Sequence, residues 1–197
     1  MKKLLFAVLC LGCLSSFTWG GQWGAGVKVG VGQNDPKTLE ALFDHATAYD
    51  RKITRSGGFF AVEVLHEWDF QSPANKIGLK LGADIYGENE LKIYGLGTTT
   101  EETYAIPLSV YYKRENGTQE WSYSVGLGAT YIDTEVDDVS DSKIFPHIMA
   151  GAEYRFTKTF ALGLDLKYNI AAKVKKEGDV LSDRSGLSAA LAARFYF

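Results

Sequence analysis

The segment "FALGLDLKYNI", residues 160–170, alternates apolar side chains with small or charged ones. Successive side chains of a β-strand point to opposite faces, so a period of two predicts a strand with one apolar and one polar face. The apolar face would run from Phe160 to Ile170, and the polar face would carry Asp165 and Lys167. The length suits a tilted membrane-spanning strand, which needs roughly 9–11 residues.

Seven other segments show the same alternation. The eight predicted strands span residues 23–32, 59–70, 76–86, 103–113, 120–132, 145–156, 160–170 and 186–197. The segments between them alternate strictly in length: the long ones are residues 33–58, 87–102, 133–144 and 171–185, and the short ones are residues 71–75, 114–119 and 157–159. Long loops at one end and tight turns at the other are typical of an up-and-down membrane barrel. The sequence therefore predicts an all-β fold, an eight-stranded antiparallel up-and-down β-barrel.

Pro107 lies in the middle of the fourth predicted strand. Proline cannot donate a hydrogen bond to a sheet, and a closed barrel has no free edge on which to place it. We therefore expect a bulge or a local distortion at this position.

The alternation does not show which face is inside. A soluble, lipocalin-like barrel places the apolar face inward, whereas a membrane barrel places it outward. Aromatic side chains favour the membrane barrel, because they gather on the apolar face near the ends that carry the short turns, where amphipathic rings would meet lipid headgroups. The main members of this predicted aromatic girdle are Trp23, Trp68, Trp121, Tyr123, Tyr154, Phe156 and Phe160. We therefore expect a transmembrane β-barrel.

The opposite face would line the interior, and it combines small residues with nearly balanced charges. The charged residues of this predicted lumen network are Lys28, Glu63, Glu67, Lys80, Asp84, Lys113, Glu153, Arg155, Asp165, Lys167 and Arg194. An eight-stranded barrel is just wide enough for its own side chains. We therefore expect these charges to pair across the lumen as a structural plug, in preference to forming an ion path.

The N-terminal residues have the pattern of a secretory signal. Two lysines precede an apolar run over residues 4–14, and the small residues Thr18 and Gly20 follow at the positions of a cleavage site. The run is too short to span a bilayer, which needs roughly 20 apolar residues. We predict that residues 1–20 are a signal peptide and that residues 21–197 form the barrel domain.

Charge and cysteine content narrow the class of protein further. The net charge of −3 over 197 residues offers no basic surface for nucleic acid. Both cysteines, Cys10 and Cys13, lie in the leader, so the mature chain would contain no disulfide. A lipoprotein acylated at Cys13 is the alternative, although Cys10 stands where such signals usually carry an aliphatic residue.

Several of these features together resemble those of a known protein family. The leader, the alternating strands, "AIPLSVYYK" at residues 105–113 and the terminal "ARFYF" at residues 193–197 resemble the small eight-stranded outer-membrane barrels of Gram-negative bacteria, the OmpA/OmpX-type family with a porin-like β-barrel domain. The likeness covers essentially the whole mature chain. It is specific for the fold and poor for function, because one fold hosts many functions.

The resemblance implies a location and a set of partners. The barrel would lie in the outer membrane, with its loops extracellular and both termini in the periplasm. Its partners would be outer-membrane lipid and lipopolysaccharide, the barrel-assembly machinery, and an external ligand or surface partner at the loops. The resemblance also implies that Phe195 and Phe197 act as the signal that the assembly machinery reads.

Two groups of residues could carry chemistry. The third long loop holds hard oxygen ligands of the kind that calcium or magnesium prefers, namely Asp133, Glu135, Asp137, Asp138 and Asp141. A solvated acidic loop is the favoured interpretation, because no ordered ligand motif accompanies them.

The histidines invite comparison with serine-type barrel lipid deacylases. His147 has Ser140 and Ser142 close in sequence, but that chemistry needs serine and histidine together on the lipid face, and His147 has the inward parity. His66 would face lipid near the turn end, and His45 lies in the first long loop.

The sequence thus favours a non-enzymatic outer-membrane barrel with a structural or surface-interaction role through four long extracellular loops. We expect no cofactor and no metal. A lipid-modifying outer-membrane enzyme and a soluble periplasmic ligand-binding barrel are the alternatives. The enzyme would require a serine–histidine pair on the outer face, and the binding barrel would require an apolar lumen with room for a ligand.

Overall fold

A computed structural model describes most of the predicted barrel domain. The described residues are 21–32, 40, 44, 51–95, 97–117, 120–137, 139–176 and 179–197. The predicted signal peptide and His45 lie outside them. Across these described ranges, no helix is both long enough and apolar enough to cross a membrane.

Strands account for nearly all of the described chain. They are β1 (Gln22–Gly32), β2 (Arg51–Thr54), β3 (Gly58–Phe70), β4 (Ser72–Tyr86), β5 (Asn89–Ile93), β6 (Gly97–Glu115), β7 (Trp121–Val136), β8 (Val139–Arg155), β9 (Phe160–Asn169), β10 (Lys173–Lys176), β11 (Asp179–Asp183) and β12 (Gly186–Tyr196). The eight segments predicted from alternation correspond to β1, β3, β4, β6, β7, β8, β9 and β12.

These eight strands close into an antiparallel barrel. Each pairs with its neighbours in chain order, and β12 pairs with both β9 and β1. The last residue takes part in the closure, because Phe197 N donates to Trp23 O at 2.9 Å and Trp23 N donates to Phe197 O at 3.2 Å. The predicted fold is confirmed.

The two ends of the barrel differ, although not in every connection as the segment lengths predicted. The turn end carries the short connections after β3, β6 and β8. At the loop end, the segments between β1 and β3, between β4 and β6 and between β9 and β12 are longer, whereas only residues 137–138 separate β7 from β8. At the turn end the β3–β4 connection is shorter than predicted, because β4 already begins at Ser72. Gln71 takes a left-handed backbone conformation there, with φ of 62°.

The predicted loops 87–102 and 133–144 are largely strand, which corrects the sequence interpretation. The β7–β8 ladder continues without a shift to Val136↔Val139, and the β6–β7 ladder reaches Glu101↔Val136. Threonine and valine favour a pleated backbone here, and Thr103 and Thr134 share a buried hydroxyl contact of 3.2 Å. The barrel wall therefore extends past the apolar belt, the zone of outward apolar side chains. There β5 pairs with β6 and β2 pairs with β5, which makes the sheet wider.

Pro107 interrupts one ladder without a bulge. The β6–β7 register passes through Pro107↔Thr130 unchanged, whereas the β4–β6 pairing stops at Leu81↔Leu108 and resumes at Asp84↔Ala105 in the same register. The expected distortion is thus a short gap between two wall strands, because the proline nitrogen has no hydrogen to donate.

The two faces of the barrel have opposite chemistry. The outward side chains of Val29, Leu127 and Leu191 are 58%, 66% and 65% exposed, while the inward Glu63 is 1% exposed. An apolar outside around a charged inside is the arrangement of a barrel in lipid. On β6 the outward apolar residues run from Tyr104 to Tyr112, which marks the membrane-spanning part of that strand.

Candidate functional site

Arg194 is the centre of the barrel interior. Its Nε donates to Glu63 Oε1 at 2.6 Å and its Nη1 donates to Glu153 Oε2 at 3.1 Å. Its Nη2 also donates to Asp165 Oδ2. All four side chains are buried. One guanidinium therefore joins strands β3, β8 and β9 to β12, using its planar fork of donors on three carboxylates.

Lysines continue this layer toward the loop end. Lys28 Nζ lies 3.1 Å from Glu63 Oε2, and Lys80 Nζ lies 3.3 Å from Asp165 Oδ2. The carboxylates around Arg194 are thus shared with two further cations.

A second, separate pair lies nearer the loop end of the lumen. Lys167 Nζ donates to Asp84 Oδ2 at 2.6 Å. Each cation in this half of the lumen therefore has a carboxylate within ion-pair distance.

Toward the turn end, Lys113 is the next bridging group. Its Nζ lies 3.0 Å from Glu67 Oε1 and 2.9 Å from Glu153 Oε1, and it donates to the Tyr196 hydroxyl at 3.0 Å. Tyr111 donates its hydroxyl to Glu67 at 2.8 Å. Because Glu153 contacts both Lys113 and Arg194, the two layers form one continuous network.

The turn end of the lumen is closed by a weaker group. Glu115 Oε1 lies 3.4 Å from Lys76 Nζ and 3.6 Å from Arg155 Nη2, and the Arg155 guanidinium lies over the Tyr196 ring at 4.6 Å. Glu115 fell within a predicted turn, and Lys76 was not among the predicted network residues. The alternation could have identified both. Glu115 lies two positions after Lys113, and Lys76 lies four positions before Lys80, so each points to the same face as a predicted lumen residue.

All eleven predicted lumen residues make at least one ion pair with another lumen residue. Little free space remains between the described lumen residues: a lumen cavity whose lining includes Ser109, His147 and Asp84 has about 30 Å³ of free volume. That is room for about two water molecules. The space is too small for a passage.

The predicted aromatic girdle surrounds the outside of the turn end. Ring contacts run from strand to strand, with centroid distances of 5.0 Å between Trp121 and Tyr154 and 4.7 Å between Tyr154 and Phe156. The series continues through Phe160, which lies 6.0 Å from Phe156 and 5.1 Å from Phe195. Rings at a single height are expected where a barrel meets lipid headgroups.

The remaining girdle residues complete the belt. Trp23 and Trp68 lie on the two sides of His66, each with its ring centroid 4.3 Å from the imidazole. Tyr123 lies on the same outer face and is 60% exposed.

A comparison with protein families identifies this barrel. The family model described as "Outer membrane protein beta-barrel domain" matches residues 4–195. The chain belongs to this family. It is accordingly an outer-membrane, transmembrane β-barrel. Among curated proteins, none matches the sequence at a significant level.

Solved structures share the fold of this outer-membrane barrel. OprG from Pseudomonas aeruginosa is 14% identical, with a TM-score of 0.57 over 90% of this chain and 96% of that one. Ail, the attachment invasion locus protein of Yersinia pestis, solved in complex with the heparin analogue sucrose octasulfate, is 11% identical, with a TM-score of 0.52 over 91% and 100%. Neisserial surface protein A is 16% identical, with a TM-score of 0.51 over 90% and 96%. At these identities the likeness shows the fold alone.

The soluble ligand-binding interpretation is wrong for this outer-membrane barrel. Such a protein needs an apolar lumen with room for a ligand. The middle and the turn end of the lumen are instead charged and nearly filled, the apolar cluster at its loop end is packed against Ala172 and Val174, and many large apolar residues are exposed on the outer face.

The histidines of this barrel are not arranged as the deacylase comparison required. His147 is 1% exposed and points into the lumen, where its Nε2 lies 2.8 Å from Ser109 Oγ and its Nδ1 lies 2.8 Å from Thr130 Oγ1. Ser109 was not predicted as its partner, although it has the inward parity. Ser140 and Ser142 belong to the opposite, outward parity of β8.

The acidic residues of the third predicted loop are spread over paired strands. Asp133 and Glu135 lie on the outward parity of β7, and Asp137 sits in the turn with φ of 50°. Asp141 lies on β8 and accepts from its neighbour Ser142 N at 2.8 Å. Asp138 lies outside the described residues. Within the part of the chain that is described, no group of three or more potential ligands could hold a metal.

A further charged cluster lies at the loop end, beyond the membrane-spanning part of the barrel. Glu101 is fully buried and accepts from Arg184 Nη2 at 3.3 Å and from Ser182 Oγ at 3.0 Å. Burial raises the pKa of Glu101 above its ordinary value, since the loss of water outweighs the attraction of Arg184. Burial likewise lowers the pKa of Arg184. Both residues lie in segments that the sequence predicted to be loops, so the alternation of inward and outward side chains did not identify them as buried charges.

The Arg194 layer predicts a stability effect. Arg194→Ala should lower the free energy of unfolding by about 3–5 kcal/mol, because three carboxylates would lose their shared buried cation. Urea unfolding of barrels refolded into lipid vesicles measures this. Arg114→Ala is the matched control: Arg114 is an exposed arginine near the end of β6, and its removal should change stability by no more than about 0.5 kcal/mol. Equal losses in the two variants would contradict a special role for the lumen network.

Proposed function

We propose that this protein is a non-enzymatic outer-membrane barrel that acts through its loop end, as a structural or surface-interaction protein. One observation carries the proposal: among the described residues, a continuous ion-pair network around Arg194 fills the lumen and leaves no passage. A barrel that transports nothing through its lumen offers two functional surfaces, its lipid face and its loop end.

The loop end has the size for an interaction surface. The wall formed by β2, β5, β6, β7 and β8 continues past the apolar belt as paired strands. Its outward side chains include charged and hydroxyl groups such as Glu90, Lys92 and Thr98, all exposed. A rigid sheet that carries polar side chains is a better platform for a partner than a set of separate flexible loops, because fewer residues have to be ordered on binding.

An enzymatic role is less well supported. Ser109 and His147 are within hydrogen-bond distance, but they lie inside the lumen beside a cavity of about 30 Å³. A lipid could not reach them. We therefore propose that this pair is structural and that the protein has no catalytic site, cofactor or resident metal.

Ion conductance tests the proposed function. Purified barrels inserted into planar lipid bilayers should show no steady, ion-selective current, because the lumen network blocks the path. A large and selective conductance from the folded wild-type protein would overturn the proposal, since it would make transport the primary activity.

We further propose the orientation of the barrel in the membrane. The loop end would face the exterior and the turn end the periplasm, with residues 1–20 removed as a signal peptide during export. The family membership supports this, because bacterial outer-membrane barrels have short periplasmic turns and longer external loops. Outer-membrane lipid and lipopolysaccharide would then surround the belt, and an external ligand or surface partner would bind at the loop end.

Epitope tags test this orientation. Tags inserted between Tyr94 and Gly97, or after Asp137, should bind antibody on intact cells. Tags between Asn116 and Glu120, or after Thr157, should bind only after the outer membrane is permeabilised. The reverse pattern would show that the barrel is inserted with its turn end outward.

We also propose that Phe195 and Phe197 serve assembly more than stability. Both are exposed on the outer face, at 56% and 71%, so neither fills the lumen. Burial of each ring in lipid contributes about 1.5–3 kcal/mol, which is too little to undo a closed ladder of eight strands. The barrel-assembly machinery would recognise the two rings before the strand has paired.

Paired substitutions separate assembly from stability. Phe195→Ser with Phe197→Ser should reduce the amount of heat-modifiable, folded barrel in the outer membrane of cells, while refolding into detergent stays close to wild type. The control is Leu187→Ser with Leu191→Ser, which removes two outward side chains of similar exposure, 57% and 65%, from the same strand. Normal insertion of the phenylalanine variant, or an equal defect in the leucine variant, would show that these rings are not a specific signal.

A further inference from the structure

The β10–β11 hairpin differs from the other loop-end hairpins. The β7–β8 hairpin is continuous with the barrel wall, whereas β10 and β11 form a separate two-stranded sheet and, in the described part of the chain, pair with no barrel strand. The residues at its base have left-handed backbones, with φ of 49° at Ala171 and 123° at Gly186. A non-glycine residue at positive φ is uncommon, so the chain makes a sharp bend at Ala171.

The bend directs the hairpin inward over the mouth of the lumen. Ala172 and Val174 are completely buried and pack against aromatic and aliphatic side chains of the inner wall. That wall cluster contains Phe59, Ala61, Tyr86, Ala105, Ile132, Phe145 and Ala190. The hairpin thus covers an apolar upper lumen that would otherwise be open to water.

The space beneath the hairpin is closed at its lower end. The cavity of about 30 Å³ lies there, lined by Asp84, Ser109 and His147 among others, and the Arg194 layer with its carboxylates forms the floor. Among the described residues, Asp84 Oδ1 has no hydrogen-bond partner although the side chain is 1% exposed. The upper lumen is therefore a blind cup with polar groups at its base, and the hairpin covers it.

The polar contacts that join the hairpin to the wall are the Arg184–Glu101 ion pair and hydrogen bonds from Ser182 Oγ to Glu101 Oε1 and from Asn169 Nδ2 to Arg184 O. The hydrogen bonding of the ion pair is incomplete. Arg184 contacts Glu101 at 3.3 Å and lies over the Tyr86 ring at 4.5 Å. Within the described ranges, Glu101 Oε2 and Arg184 Nη1 find no hydrogen-bond partner. A buried ion pair that leaves polar atoms unsatisfied gains little over a state in which both groups are hydrated. The ion pair therefore adds little to the closed position, which depends mainly on the apolar packing of Ala172 and Val174.

We propose that the β10–β11 hairpin is a lid that opens about Ala171 and Gly186 and admits water and small solutes to the upper lumen, with Arg184 and Glu101 as its latch. The movement breaks no hydrogen bond of the closed barrel ladder, because the hairpin lies outside that ladder. The lower lumen stays sealed, so opening the lid creates a cup and not a channel.

Cysteine accessibility tests the lid, and residues 21–197 contain no native cysteine to interfere. Val174→Cys, Lys173→Cys and Ala161→Cys would be compared in detergent micelles, where both ends of the barrel meet water, using a water-soluble maleimide. Val174 is fully buried under the lid, Lys173 is half exposed on the same strand, and Ala161 is fully buried in the lower lumen. We expect Val174→Cys to react more slowly than Lys173→Cys but measurably faster than Ala161→Cys.

Removing the latch should change one of these rates alone. In the Arg184→Ala background, labelling of Val174→Cys should rise about tenfold, because Glu101 is then buried without its partner in the closed state. A tenfold rise corresponds to a change of about 1.4 kcal/mol in the free energy of opening. Labelling of Ala161→Cys should stay unchanged. Replacing both partners, with Glu101→Gln and Arg184→Met, should restore slow labelling, because no buried charge is then left unmatched. Ala172→Cys, also fully buried on the lid, replaces Val174→Cys if that variant does not fold.

Three outcomes would overturn the lid. Val174→Cys that reacts as fast as Lys173→Cys in the otherwise wild-type barrel would show that the hairpin does not cover the lumen. Val174→Cys that stays as slow as Ala161→Cys even with Arg184→Ala would show a fixed plug. An equal rise at both positions would show loosening of the whole barrel.

Discussion

The structure depends first on the requirement that every backbone polar group in the hydrocarbon region be paired. No water is available there, so an open sheet edge would leave a row of unsatisfied N–H and C=O groups. The pairing of β12 with β1 removes that edge, from Gly32↔Ser188 down to the reciprocal bonds between Trp23 and Phe197. The gap at Pro107 is tolerated because it spans only a short part of one ladder whose register continues on both sides.

Closure with eight strands then determines what the interior can hold. The lumen is as wide as two opposed side chains, so a charge that points inward must find its partner across the barrel or remain buried alone. Arg194 and Lys113 each serve carboxylates from more than one strand, and Glu153 connects them. Burying such a network costs desolvation free energy, but removing one member costs more, because its partner is then left as an unpaired buried charge. The network therefore links strands that are far apart in sequence.

The loop end follows different rules, because water is available there. The β6–β7–β8 wall continues as regular sheet, whereas the last excursion leaves the ladder and folds inward at Ala171. The contrast between a rigid wall and a separately hinged hairpin is the reason that the loop end can combine a fixed outer surface with a movable cover. The latch of Glu101 and Arg184 lies outside the membrane, where both charges can be hydrated when the hairpin moves away.

The alternation in segments such as residues 160–170 was sufficient to determine the eight barrel strands and their two faces, but not the strand extensions within the predicted loops 87–102 and 133–144. Period two is a local property of the backbone, so Leu164 and Asp165 must face opposite sides whatever the rest of the chain does. For the same reason all eleven predicted lumen residues could be identified by parity, while Glu115, Glu101 and Arg184 were missed because they lay in segments interpreted as turns or loops.

Only the tertiary structure decided which residues meet. The partners of Arg194 lie 29 to 131 positions away along the chain, and their pairing depends on the stagger of strands around the closed barrel, which no single strand encodes. The contact of His147 with Ser109, and not with the nearer Ser140 or Ser142, has the same cause. The inward fold of β10 and β11 likewise depends on an apolar cluster that exists only once the wall strands have closed, so the local sequence could not reveal it.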